Sequence, residues 1–395
     1  LEALYALKAK VLLYAASPLF NGNAFYADFK NKNGELLFNA SYDRNKWLLA
    51  AEAADKAVEI CEGSDRALIT GSTGKKTDLL NVMADVENSM FSRFTNEEYL
   101  LEWKYTNTFH KFTLVGDDKN FDAQAVGCLS PSMKMVEMYY TENGLPIDAD
   151  ITWNYSNRYK LGSESSPEYE GVIPMNTSVV NLHLRREPRF YASIAGDRMY
   201  WQRGTNTAQD DYNLLVEAHK GEVPWGTQYD FIISNSWQNI NGYWLKKHLF
   251  SWFQTLGYSN NLQGNETAAI IRLAEVYLMQ SEAWNEYLDQ PDSRVYDPID
   301  KVRERAGILP VREAWGSYSN NPTKVTTKVG MREIIHQEYN IEFAFEGHRY
   351  WNLRRWLIAH QILNEKQYGW NVIGTTDQAF YNYETGPVVV WSSNK

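Results

Sequence analysis

Apolar residues recur along this chain with two periods, roughly 3.6 and 2 residues, and some long stretches have neither. Leu1 to Ala16 reads as a helix, with Leu4, Leu7, Val11 and Leu12 on one stripe. Ala3, Ala6, Ala9, Ala15 and Ala16 permit a close neighbour, and Ser17-Pro18 ends the run. The stripe predicts a partner helix upstream of Leu1, so the chain reads as truncated, any targeting segment lying outside it. A second helix is predicted from Arg44 to about Glu62, turning Trp47, Leu48, Ala51, Ala54, Ala57 and Val58 toward a neighbour. Residues 63–78, rich in Gly, Ser, Thr and Lys, read as loop. Between Asn96 and His110 the period changes: Tyr99, Leu101, Trp103 and Tyr105 alternate and predict a strand. Pro131 opens a short helix carrying Met135, Val136 and Tyr139, and Asn143-Gly144 makes a turn.

Residues 195–264 have no sustained helical period and are dense in Trp and Tyr. A structureless stretch of that length inside a domain is usually functional. From Asn265 a helical reading resumes, with Ile270, Ile271, Ala274, Tyr277, Leu278, Ser281 and Trp284 inward. A further helix opens near Met331 and is apolar on more than one face through Ile334, Ile335, Ile341, Phe343 and Phe345, which predicts burial. Glu338, Glu342 and Glu346 recur on it at four-residue spacing. Gly347 interrupts, and a following helix carries Tyr350, Leu353 and Trp356 with Arg349, Arg354 and Arg355 among them. The expectation is a structural ion-pair ladder from the three glutamates to Arg349 and Arg355. Val388 to Val390 reads as a terminal strand. Helix pairs with Trp, Ala and Tyr at packing positions are raw material for tetratricopeptide-like repeats, although the 34-residue period is not clean here.

Composition narrows the classes. The chain has 395 residues, 44% hydrophobic and 22% charged, enough for one large domain or two ordinary ones. Its 14 Trp and 26 Tyr supply flat faces for sugars or bases, and equally for a core. A formal charge of −10 and a pI of about 5.3 argue against a nucleic-acid partner. No apolar run reaches the roughly 20 residues of a membrane-spanning helix. Cys61 and Cys128 make no metal spacing and no disulfide framework, and one bridge between them is left open. The three glutamates could be read as catalytic carboxylates, but they share one helix instead of facing across a cleft. His336 and His348 are too far apart to share a metal, and His183, His219, His248 and His360 are scattered. Asp210-Asp211 reads as a solvated turn, and there is no phosphate loop or nucleophile elbow. No cofactor or metal is expected.

The stretch EYNIEFAFEGHRYWNLRRW, Glu338 to Trp356, closely resembles the C-terminal signature of the SusD/RagB family of glycan-binding outer-membrane lipoproteins. Glu338, Glu342, Phe345, Glu346, Gly347, Arg349, Leu353, Arg355 and Trp356 fit that pattern. Tyr339 stands where Arg is usual, Phe343 where Leu is usual and Asn352 where Asp is usual, departures that could weaken one ion pair. RLAEVYLMQSEA (Arg272 to Ala283) and VRERAG (Val302 to Gly307) resemble further family segments. So do Tyr14 to Pro18, the Pro131-led helix with its Gly-x-Pro turn, and REPRFYASI (Arg186 to Ile194), where Glu187 replaces Asp. The likeness runs from residue 1 to about residue 360.

The resemblance implies a mainly α fold of tetratricopeptide-like helix pairs with a loop-rich insertion and minor β structure. The divisions expected are N-terminal helices over 1–110, an aromatic-rich region over 111–264, C-terminal helices over 265–362 and a tail over 363–395, all in one compact domain. It also implies a non-enzymatic protein at the cell surface, held to the outer membrane by a lipid on a cysteine upstream of residue 1. Such a protein would present glycan to a SusC-like TonB-dependent transporter. No motif carries over the glycan contacts, so they are chosen on physical grounds. Trp201, Trp225 and Trp237 lie among polar neighbours and are the stacking platforms, with Tyr229 as a side wall and Arg203 and Asn235 as donors. Tyr243 and Trp244 resemble a family segment that packs inside. Two alternatives stand: a tetratricopeptide-like scaffold that binds protein through its concave face, and a glycoside hydrolase with carboxylates facing across an aromatic cleft.

Overall fold

A computed structural model describes residues 1–38, 40–92, 95–106, 129–202, 213–220, 239–248 and 265–391. The chain opens with helices α1 (Glu2–Ala16), α2 (Asn45–Glu62) and α3 (Asp78–Met90), then strands β1 (Phe91–Ser92) and β2 (Tyr99–Thr106). Helix α4 (Met133–Met138), strands β3 (Leu161–Gly162) and β4 (Val179–Val180) and helix α5 (Pro188–Ser193) follow. Strands β5 (Ile194–Gly196), β6 (Tyr200–Gln202), β7 (Asn213–Leu215), β8 (Tyr243–Leu245) and β9 (Asn265–Arg272) lead to a helical run. That run comprises α6 (Leu273–Tyr287), α7 (Ser293–Arg305), α8 (Val311–Tyr318), α9 (Lys328–Glu342), α10 (His348–Arg355) and α11 (Ala359–Ile362). Strand β10 (Gln367–Gly369), helix α12 (Asp377–Tyr381) and strand β11 (Val388–Trp391) close it.

The fold is mainly α with small sheets, and its helices stack in the tetratricopeptide-like manner: α1 on α2, α2 on α6, α6 on α7. Alanines make the first of these contacts close. Ala6, Ala9 and Ala16 of α1 are buried, as are Ala50, Ala51, Ala54 and Ala57 of α2 beside Trp47. The stripe of Leu4, Leu7 and Val11, expected to meet a partner upstream of Leu1, takes no part in this contact. Leu4, Leu7 and Val11 are 69%, 46% and 59% exposed, because the alanine face lets the two backbones approach and takes the contact. Leu7 and Val11 instead line an open groove of about 710 Å³ with Ile270 and Trp351.

Two predicted elements need correction. Asn265–Arg272 is a strand, and the helix starts only at Leu273. β9 is the centre of a three-stranded sheet in the order β1-β9-β2, pairing Trp103 with Ala268 and Tyr99 with Arg272. A run of Ala and Ile suits either period, and the pairing with residues far away in sequence decides it. Helix α9 ends at Glu342, so Phe343 to Glu346 form a turn, not helix. Phe345 (φ +65°) and Gly347 (φ +83°) both take left-handed backbone there and reverse the chain into α10. Helix α3 was not foreseen. The strand predicted over Asn96–His110 is β2, and that over Val388–Val390 is β11.

Among the described residues there are two hydrophobic clusters. The first joins α1, α2, α6, α7, α8 and much of α9. The second gathers α3, α4, α5 and the short ladders β5–β8 and β6–β7 around Phe190, Tyr243 and Trp244, with Trp370, Phe380 and Tyr381 from the C-terminal end. Tyr243 and Trp244 are indeed buried. Among the described residues no helix is long and apolar enough to cross a membrane. Cys61 is a buried free thiol, and Cys128 lies outside the described residues.

Candidate functional site

Glu338 and Glu342 of α9, and Glu346 in the turn after it, do not pair with Arg349 or with Arg355. Glu338 accepts from Arg189 at 2.6 Å and from Arg303 at 3.1 Å. Glu342 accepts from Arg189 at 2.9 Å and Arg272 at 2.6 Å, and also from Arg305. Glu346 takes Arg272 at 2.9 Å and Lys247 at 2.7 Å. Glu98, just ahead of β2, bridges Arg272 and Arg305, and Glu187 holds Arg189 at 2.6 Å. Five cations and five carboxylates thus form one connected, charge-neutral network, each side chain at most 5% exposed. It lies at the seam between the two clusters: Tyr339 and Phe343 belong to the first, Ile341 and Ala344 to the second. The Phe343 ring lies beneath the Arg272 guanidinium at 4.3 Å, a use for an aromatic where leucine is usual.

Arg355 pairs elsewhere, with Glu282 of α6 at 2.6 and 2.7 Å. Asn352, standing where Asp is usual, accepts from Arg355 Nε at 2.8 Å through an uncharged amide oxygen. Arg349 donates to the Met138 sulfur at 3.9 Å and feels the Glu365 carboxylate, and among the described residues it makes no ion pair. The expected ladder is therefore a network fed from α5, β9, α7 and the segment after β8. Sequence reasoning missed Arg189, Arg272, Arg303, Arg305 and Lys247 as partners. For two of them the signal was there: Arg272 in RLAEVYLM and Arg189 in PRFYASI sit in largely apolar segments, where an unpaired charge would be costly.

These surroundings set the chemistry of the carboxylates. Burial alone would raise Glu342, but Arg305, Arg272 and Arg189 outweigh it and hold the carboxyl well below its usual range. Burial likewise opposes Arg272 and Lys247 at Glu346, which ends at about 2. A glycosidase needs one carboxyl kept protonated near neutral pH, and Glu342 and Glu346 are held the opposite way. His336 and His348 stack on Trp356 at 3.6 Å and on Phe343 at 4.4 Å. Burial pushes His336 down to about 3. Among the described residues no group of His, Cys, Asp and Glu could hold a metal ion.

Of the residues chosen as a glycan platform, Trp201 alone is described. It sits on β6 opposite Leu214, is 3% exposed and packs in the second cluster. Trp225, Trp237, Tyr229, Arg203 and Asn235 lie outside the described residues, as does Asp210-Asp211. Exposed rings elsewhere include Phe25, Trp103, Tyr350, Trp351 and Tyr368.

Residues 88–393 match the model of the SusD family. The chain belongs to the SusD family. The buried network is thus a feature of this chain's version of the family's C-terminal signature. SusD-like protein P25 of Formosa agariphila is 32% identical over 117 residues, 30% of this chain and 20% of that protein. Among solved structures, BT4246 superposes with a TM-score of 0.78 at 25% identity, over 98% of this chain and 65% of that one. A SusD-like carbohydrate-binding protein of Bacteroides fragilis has a TM-score of 0.54 at 19% identity, over 99% of this chain and 74% of that one. This chain thus spans less than two thirds of the first relatives it matches.

Proposed function

We propose that this chain captures a glycan at the cell surface and hands it to a SusC-like TonB-dependent transporter in the outer membrane, to which a lipid anchor tethers it. No bond is made or broken in this reading, and function is a binding equilibrium. The observation that carries it is membership of a carbohydrate-binding family together with an organising signature whose carboxylates are all committed to buried cations. The ligand platform is placed on the aromatic-rich insertion. Trp225 and Trp237 offer stacking faces, Tyr229 a side wall, and Arg203 and Asn235 donors to hydroxyls. Trp201, buried in the middle of β6, would serve at the base of the site.

A glycan array on the purified protein, followed by calorimetric titration of the best ligand, tests this. Trp225→Ala and Trp237→Ala, each shown to be folded, are expected to lose about 1–3 kcal/mol, taking base stacking on aromatic rings as a guide. That is roughly tenfold or more in affinity. Two unchanged affinities would move the platform elsewhere, and product released from the bound glycan would overturn the non-enzymatic reading.

A further inference from the structure

A cleft of about 610 Å³ opens between α4 and the C-terminal strands. One wall is locked. The Arg158 guanidinium lies between the rings of Tyr155 and Tyr159, 4.0 and 4.1 Å from their centroids. Glu137 accepts from Arg158 Nε at 2.9 Å and from the Tyr159 hydroxyl at 2.6 Å. Tyr159 also stands edge-on to the buried Trp370 ring at 5.8 Å. The other wall is β10, whose Tyr368 is paired by its backbone with Val389 of β11 yet is 44% exposed. Lys134 and Glu365 form an ion pair at the rim.

Two groups in this cleft are unspent. Among the described residues, the Lys366 ammonium and the Tyr368 hydroxyl make no hydrogen bond or ion pair. The cleft therefore offers aromatic faces, a fixed carboxylate edge and two free polar groups. Its volume falls in the range of ligand pockets, about 300–1,000 Å³. Arg158 and Lys134 are each matched by an acid, so no single-sign field favours a phosphate. An amphipathic ring edged with hydroxyls fits this combination best.

We propose that this cleft is a second saccharide subsite, with Tyr368 and Tyr159 against sugar faces and Lys366 donating to hydroxyls. It rests on the reading that the chain binds glycans, but uses none of the residues proposed for the first platform. A rigid wall and free donors lower the ordering cost of binding. The test is calorimetric titration of the folded protein with a panel of neutral polysaccharides including laminarin, xyloglucan and amylose. Lys366→Ala and Tyr368→Ala change exposed side chains and are expected to fold. Each should weaken binding of the long polymer fivefold or more, or remove one class of site from the isotherm. Binding that survives Trp225→Ala/Trp237→Ala should be lost when Tyr368→Ala is added. If the wild type binds a polymer and both cleft variants titrate identically to it, the subsite is refuted while the glycan-binding reading stands. If the wild type binds none of the panel, both fall together.

Discussion

Arg272 Nη1 donates to Glu342 Oε1 at 2.6 Å, joining the last residue of β9 to the last residue of α9 across 70 positions of sequence. The same guanidinium reaches Glu98 and Glu346, so one side chain ties the central strand, the turn after α9 and the residue leading into β2. Removing it takes one partner from each of three buried carboxylates and leaves the network one positive charge short.

Arg272→Met is therefore expected to destabilise the fold by about 3–5 kcal/mol, the cost of breaking a buried pair from one side. Arg349→Met, three residues into the signature's second half, is expected to stay within about 1 kcal/mol, because no acid depends on it. Chemical denaturation of the two variants checks the contrast. Equal losses would mean that Arg349 has a role its surroundings do not show.

Acid should unfold the protein in two stages. His183 and His336, pushed down to about 3 by burial, and His248, at about 4, stay neutral while the unfolded chain protonates near roughly 6.5. The unfolded state then binds more protons, so stability falls as pH drops below that value. A second loss begins below roughly 4.3, the ordinary glutamate value, and continues toward the folded value of about 2 at Glu346. Denaturation midpoints measured from pH 7 to 3 should show both. His336→Phe, which keeps a ring on Trp356, should flatten the first stage, and a midpoint constant from pH 7 to 4 would count against the histidines.

Gly144 turns the chain after Asn143 with φ +72°. A Cβ there would lie 2.5 Å from Arg303 Nη2, the group that donates to the Gly144 carbonyl at 2.8 Å, and 3.1 Å from Ile308 Cβ. Gly144→Ala is expected to cost about 1–3 kcal/mol through backbone strain and overpacking. Gly316→Ala, inside α8 with open space around it, should instead gain up to about 1 kcal/mol. Thermal melts of the two variants should shift in opposite directions.

Burial pushes the Cys61 thiol up to about 11, which leaves little thiolate at neutral pH. Peptide mapping after iodoacetamide at pH 8 should find Cys61 unmodified in the native protein and alkylated in guanidinium. Rapid native labelling would show that α2 opens away from α6.

The helices were legible because their cause is local. The alanine and tryptophan spacing of α2, the alternation in β2 and the Pro131 start of α4 act within a few residues of chain. Glu338 and Glu342 were legible for the same reason, since i and i+4 share a helix face, whereas Glu346 lies in the turn beyond α9. The sequence could not say which arginines those glutamates meet. A carboxylate at Glu342 fits any guanidinium that arrives with the right geometry, and Arg189, Arg272 and Arg305 arrive from three other elements. Nor could it say which helix the alanine face of α1 meets, because small residues permit any close neighbour, and only the folded chain brings α2 there. Burial of an ion pair and choice of a packing partner are properties of pairs of elements, and the tertiary structure is where those pairs are made.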